Sequence, residues 1–185
     1  AALDAGAEVT LIAGPACEQV PYGAKLIRVQ TTQEMGEAVL AQAEGADALF
    51  MVAAVADFKP RTTAERKIKK SDNADEYLRI ELEKTLDILV AVKDKRKATG
   101  FPKVVLGFAA ETHDAANYGN EKLQRKGLDF IAINDVTAEG AGFAVDTNRI
   151  LLLGTDGVVE EMPLLSKAEV AERIVQHVAR ALDEL

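Results

Sequence analysis

Ala48-Leu49-Phe50-Met51-Val52 is a nearly unbroken apolar run, and it empties at once into Ala53-Ala54-Val55-Ala56-Asp57, small or compact side chains closed by a carboxylate. An apolar run of that length reads as a central strand covered on both faces, as in a parallel sheet, because helices then pack above and below it. Upstream, Thr31 with Glu34 three residues on is a capping box for a helix ending near Gly45. Before that lie an extended stretch over 25–29 and a strand around Val9 to Ile12, entered through Gly6 at the end of a helical turn.

Downstream, residues 57–73 are polar, basic and interrupted by Pro60, which marks a long connection of the kind that often carries function. Tyr77 to Glu83 alternates as a strand, and Thr85 opens a helix running to the lysine-rich end near Lys97. A buried strand over Lys103 to Ala109 follows, then a helix from Asp114 to Lys126 closed by Gly127, then a strand at Phe130 to Ile133. Ile150 to Leu153 and Val158 to Met162, split by Thr155-Asp156-Gly157, form a hairpin. Ser166 with Glu169 caps a last helix whose apolar residues Val170, Ile174, Val175, Val178 and Leu182 share a face. The expected fold class is α/β: a Rossmann-like three-layer architecture with a mostly parallel central sheet, right-handed crossovers, and a C-terminal hairpin plus helix.

The 185 residues suit one domain spanning 1–185, with 48% hydrophobic and 28% charged residues and no run able to span a bilayer. A formal net charge of −8 argues against a nucleic-acid partner, since such binding depends on neutralising phosphates. Lys59, Arg61, Arg66, Lys67, Lys69 and Lys70, opposed only by Glu65, nevertheless form a local basic cluster suited to a small anion. The single cysteine, Cys17, forms no intramolecular disulfide, so the cytoplasm is the expected compartment. The opening AALDAGAEVTLIAGP has neither the charged nor the long apolar region of a signal peptide.

Open α/β sheets take their ligands beyond the carboxyl ends of the strands, which yields a shortlist. Asp57 there either caps its turn or accepts hydrogen bonds from a ribose or base, or joins a metal's shell. Gly107-Phe108-Ala109-Ala110-Glu111-Thr112 is a second strand running out through small residues, its Phe108 either core or a stacking surface. Ile133-Asn134-Asp135 is polar at a strand end, and either turns the chain or serves a ligand. Lys84-Thr85 with Asp87 stands at a helix start, where free amides suit an anion or are simply capped. Lys122 and Lys126, four apart, share a helix face and either meet an anion or lie in solvent. His113 and His177 are assigned nothing.

The Ala-Ala-Val-Ala-Asp run at 53–57, Lys-Ile-Lys-Lys at 67–70 and Gly-Phe-Ala-Ala-Glu-Thr at 107–112 together resemble the bacterial phosphopantothenoylcysteine synthetases. The likeness continues through Lys122 and Lys126, Asn134-Asp135-Val136, Gly142-Phe143 and Asp146-Thr147-Asn148. The resemblance implies a ligase that joins 4′-phosphopantothenate to L-cysteine through an acyl-cytidylate, using CTP with Mg2+, and a homodimer with flaps near the partner subunit. Carried over position by position, the nucleotide contacts are Ala54, Asp57, Lys67, Lys84, Asp87, Phe108, Lys122 and Lys126. Lys67, on a flexible flap, is also the catalytic cation, and metal ligands are unassigned. Where the family often has Lys-Asn-Pro-Asp, this chain has Lys84-Thr85-Leu86-Asp87. The family's first strand, Gly-rich turn and an asparagine-bearing segment are not found before Ala1, so poor or absent ligation by this polypeptide is expected. No decarboxylase domain is read upstream, and FMN is not expected.

Two other classes fit the architecture alone. One is a nicotinamide-dependent Rossmann oxidoreductase, although no Gly-rich fingerprint is present; the other is a non-catalytic dimerisation module.

Overall fold

The computed structural model of the chain describes residues 1–15, 19–64, 66–67, 79–111, 114–135 and 145–185. In chain order the elements are β1 (Thr10–Ala13), β2 (Lys25–Arg28), α1 (Thr32–Ala43), β3 (Ala48–Met51), β4 (Phe58–Pro60), β5 (Leu82–Lys84), α2 (Ile88–Thr99), β6 (Val104–Glu111), α3 (Ala115–Lys126), β7 (Phe130–Asp135), β8 (Thr147–Gly154), β9 (Gly157–Ser166) and α4 (Lys167–Asp183). Five strands form one sheet in the order β3-β6-β7-β8-β9. It is parallel across β3, β6 and β7 and antiparallel through the β8–β9 hairpin. β1 and β2 pair in parallel beside it, and β4 pairs antiparallel with β5 as a separate ribbon.

The period of two along the buried strands divides the core into two faces. Val105 of β6 and Ile131 and Ile133 of β7 meet Met35 and Val39 of α1, Leu89 and Val92 of α2 and Leu123 of α3. Val104, Leu106, Ala132, Ile150 and Leu152 point the other way, onto Val170, Ile174 and Val178 of α4. Three layers result, as the alternating pattern led one to expect. The approach of α3 is close: a Cβ on Gly119 would collide with Ile133 Cδ1 and come within 2.8 Å of Leu153 Cδ1.

Caps fix the helix starts. Thr31 and Glu34 form a reciprocal capping box on α1, and Ser166 and Glu169 do the same for α4. The α2 helix begins later than its sequence suggests. Thr85 does not cap it, because its hydroxyl donates to the Ala56 carbonyl at 2.6 Å and its amide donates to the Asp57 carbonyl at 2.9 Å. Asp87 is the cap instead, its Oδ1 accepting from the Val90 amide at 3.4 Å. Lys84 accordingly ends a strand rather than opening a helix.

Two strand expectations change as well. The strand expected over Tyr77 to Glu83 is described only as Leu82–Lys84; Tyr77 and Leu78 lie outside the described residues, and Arg79 to Glu81 are not strand. Its partner, Phe58–Pro60, comes from the stretch read as plain connection. Among the described residues β3 is an edge of the five-stranded sheet rather than central, and its four residues are half-buried. Its apolar run is still used on both sides, Leu49 and Met51 packing with one core face and Ala48 and Phe50 with the other.

Candidate functional site

Burial falls away along β6, from Val104–Gly107, which are buried, to an exposed Ala110. The same happens beyond β3, where Ala53, Ala54, Ala56 and Asp57 are exposed. These carboxyl ends lie on one edge of the sheet because β3 and β6 run parallel, and that edge is where an open α/β sheet receives ligands.

A series of contacts gathers most of the shortlisted residues at this edge. The loop carrying Ala54 and Asp57 is stitched to the turn before α2 by the two Thr85 bonds, from its amide to Asp57 O and from its hydroxyl to Ala56 O. Lys84 pairs with Phe58 in the ribbon directly after Asp57. Two residues past Thr85, Asp87 meets Lys126 of α3, Nζ to Oδ1 at 3.4 Å, with the lysine 23% exposed and the aspartate 44%. Lys122, one turn back from Lys126, is half-buried as well. The Val90 amide at the α2 amino terminus and the Lys126 cation thus both meet the Asp87 carboxylate at long hydrogen-bond distance. That arrangement suits a ligand carrying both negative charge and hydrogen-bond donors, since phosphate oxygens compete for the lysine and donors compete for the carboxylate.

Phe108 is placed differently. It is half-buried and packs against the α4-side core, its strand partner being Ala132, so only its outer part faces the edge. Gly107 beside it leaves no gap for a ligand, because a Cβ there would lie 2.8 Å from Leu128 Cδ1. The glycine of the Gly-Phe-Ala-Ala run makes room for a core leucine.

The β4–β5 ribbon continues from Asp57 and has two unlike faces. Lys59 pairs with Glu83 at 3.3 Å and Arg61 with Glu81 at 3.7 Å on one. Phe58, Pro60, Leu82 and Lys84 lie on the other, Phe58 being 52% exposed and Leu82 57%. Two of the six basic residues in the cluster are thereby committed to carboxylates. Lys67 is exposed and has no ion pair among the described residues; Glu65, Lys69, Lys70, Thr112, His113, Val136, Gly142 and Phe143 lie outside them. Among the described residues no group of three or more His, Cys, Asp or Glu is arranged to hold a metal ion. No helix among the described residues is long and apolar enough to cross a membrane.

Two features were visible in the sequence only in part. Asn134 is buried at 7% exposure, with an Oδ1 that has no hydrogen-bond partner; its position at a strand end was visible, but its burial was not. Glu160 accepts from Arg173 Nη1 at 2.6 Å and from His177 Nε2 at 2.8 Å, tying β9 to α4. The i, i+4 spacing of Arg173 and His177 was the available signal.

The family model described as "DNA/pantothenate metabolism flavoprotein C-terminal domain" matches residues 1–182. The chain is 42% identical over 180 residues to the coenzyme A biosynthesis bifunctional protein CoaBC of Bacillus subtilis, covering 97% of this chain and 43% of that protein. Against the Vibrio vulnificus protein of the same name it is 40% identical over 178 residues, covering 96% of this chain and 43% of the relative. The chain thus spans less than half the length of these relatives. A crystal structure of the C-terminal domain of coenzyme A biosynthesis bifunctional protein CoaBC superposes with a TM-score of 0.78 at 34% identity, covering 100% of this chain and 81% of that one. The DNA/pantothenate metabolism flavoprotein from Streptococcus pneumoniae shares the fold, with a TM-score of 0.74 at 18% identity. On a family match that runs almost end to end and relatives at this identity, the chain belongs to the DNA/pantothenate metabolism flavoprotein C-terminal domain family.

Proposed function

We propose that this chain binds CTP, accompanied by Mg2+, at the carboxyl edge of β3 and β6, and serves in joining 4′-phosphopantothenate to L-cysteine through an acyl-cytidylate in coenzyme A biosynthesis. The observation that carries this reading is the linked series from Ala56 and Asp57 through Thr85 to the Asp87–Lys126 pair. It links three separate parts of the chain and includes Asp57, Asp87 and Lys126, three of the residues that the synthetase resemblance assigns to the nucleotide. The names of the relatives and the family membership support the same reading.

In this reading Asp57 and Asp87 take hydrogen bonds from the nucleotide, while Lys122 and Lys126 hold its phosphates and Phe108 borders the base. Lys84 stands beside Phe58 at the rim. Activating a carboxylate brings two anions together and then releases pyrophosphate, so cations must be at hand where charge builds up. Lys67 is the cation that approaches last, from the stretch beyond the ribbon. The metal's part is to neutralise phosphate charge when the nucleotide arrives. The compartment is the cytoplasm, and the assembly is a homodimer that covers the apolar face of the ribbon. This metabolic context favours neither a nicotinamide oxidoreductase nor a non-catalytic module.

Calorimetric titration with CTP and magnesium, run in parallel with ATP and with the Asp57→Asn variant, tests the site. Preferential CTP binding weakened about tenfold or more in the variant, which is about 1.4 kcal/mol, is the expected result. Equal heats for both nucleotides, unchanged by the substitution, would reject it.

A further inference from the structure

Thr85 directs both of its hydrogen-bond donors to a single loop, the hydroxyl to the Ala56 carbonyl at 2.6 Å and the amide to the Asp57 carbonyl at 2.9 Å. The amide bond extends the β4–β5 ribbon one step past the Phe58–Lys84 pair, as a backbone of any sequence could. The hydroxyl bond needs a short side-chain donor at this position. Val52 to Asp57 form no regular structure, and Ala53, Ala54, Ala56 and Asp57 are exposed, while Val55 packs against the core. What fastens the end of so open a loop decides its shape.

The two bonds grip Asp57 from both sides. The Ala56 carbonyl lies in the rigid peptide plane before the Asp57 Cα, and the Asp57 carbonyl lies in the plane after it. Fastening both planes fixes φ and ψ of Asp57, and with them the direction in which its side chain leaves the backbone.

Thr85 is held in turn by its neighbour. Leu86 lies against α1 at Gly36, where a Cβ would fall 2.7 Å from Leu86 Cδ2 and 3.6 Å from Ile88 Cγ1. Gly36 is buried within α1, although glycine is a poorer helix former than alanine; the space it leaves is taken by Leu86. Thr85 and Leu86 are also the two residues at which Lys84-Thr85-Leu86-Asp87 departs from the family's frequent Lys-Asn-Pro-Asp. Both departures make contacts, one to the exit of β3 and one to α1.

We propose that Thr85 is a positioning residue: its hydroxyl sets the Ala56–Asp57 peptide so that the Asp57 carboxylate is presented to the nucleotide, and Leu86, seated against Gly36, keeps Thr85 in place. This rests on the reading of the carboxyl edge as the CTP site. The β-branch of threonine restricts χ1 and keeps the hydroxyl aimed at the carbonyl. Without the hydroxyl the plane before Asp57 is free to turn, and binding must then order a carboxylate that samples several directions. Because the bond is exposed, water replaces it and the fold survives, so the loss falls on ligand binding.

The test is calorimetric titration of the protein at its natural full length with CTP and magnesium, in four forms: unsubstituted, Thr85→Val, Asp57→Ala and the double variant. Valine keeps the shape of threonine and removes the donor. Thr85→Val is expected to weaken CTP binding about fivefold, in the range of one exposed hydrogen bond, with little change in the melting curve. In the Asp57→Ala background the same substitution should have no further effect, because a residue that acts through Asp57 has nothing left to position. Thr85→Ser keeps the donor on a freer side chain and should restore most of the affinity. Unchanged CTP affinity in Thr85→Val, or equal weakening in both backgrounds, would overturn the proposal. Should Thr85→Val fail to fold, Leu86→Ala leaves the hydroxyl in place and empties the space over Gly36. Weakening by Leu86→Ala that disappears in the Asp57→Ala background then supports the proposal, and any other result overturns it. CTP binding that is absent from the unsubstituted protein, or indifferent to Asp57→Ala, would overturn the site reading and the proposal with it.

Discussion

Glu160 shows how a single residue ties the last helix to the sheet. The hydrogen bond from His177 is the largest cause holding its carboxyl below the usual carboxylate range, with the hydrogen bond and charge of Arg173 adding to it and partial burial working against them. A carboxyl whose folded pKa is depressed contributes stability that is fully present above its unfolded pKa and is lost as pH falls through the folded one. The sensitive window therefore opens near the ordinary glutamate value and extends below it. Glu160→Gln should lower the melting stability by about 1–2 kcal/mol at neutral pH, in the range of charged hydrogen bonds. Its melting curves should converge with those of the unsubstituted chain as the medium is acidified; a gap that persists at the lowest pH would mean that packing, not charge, explains the loss.

At the scale of elements, local chemistry decided what could be read in advance. The α1 and α4 starts were legible because Thr31/Glu34 and Ser166/Glu169 are reciprocal caps that depend on neighbours in sequence alone. The buried strands β6 and β7 were legible from composition, and the hairpin β8–β9 from its Asp156-Gly157 turn. What escaped depended on distant partners. Thr85 looks like a cap until Ala56 and Asp57 claim it, and β4 is three exposed residues that become a strand only because Leu82–Lys84 lies alongside. The candidate site divides in the same way: the motif residues were visible, while the orphaned state of Asn134 follows from what surrounds it. Asp129 belongs to this non-local class too. Its Oδ2 accepts from the Val105 amide at 2.7 Å and lies 2.9 Å from Arg96 Nη1, and Arg96 also donates to the Lys103 carbonyl, so one carboxylate joins α2, β6 and the start of β7. Asp129→Ala should cost about 2–3 kcal/mol by stranding a backbone amide and a cation together. Chemical denaturation with an unchanged m-value and a lower midpoint would confirm a loss of stability without a change of fold.

For the molecule as a whole, the question is what the ribbon is for. The chain carries a formal net charge of −8, yet its proposed substrates are anions, so binding depends on gathering cations locally rather than on overall attraction. The ribbon that follows Asp57 leads toward Lys67, and its charged face is neutralised internally by the Lys59–Glu83 and Arg61–Glu81 pairs. Its other face leaves Phe58 and Leu82 more than half exposed, with Ile80, two residues before Leu82, at 62%. Two short strands alone are marginally stable in water, and clustered apolar exposure of this kind marks an association surface. A second copy covering that face would steady the ribbon, making assembly and substrate binding one event. Phe58→Asp with Leu82→Asp places charge on the proposed contact without touching the core or the Asp87–Lys126 pair. Sedimentation should show the unsubstituted chain as two copies at micromolar concentration and the double variant as one, with CTP affinity weakened in parallel. A chain that sediments as one copy before substitution, or a variant that remains paired, would place the interface elsewhere and leave the apolar face of the ribbon to the substrates alone.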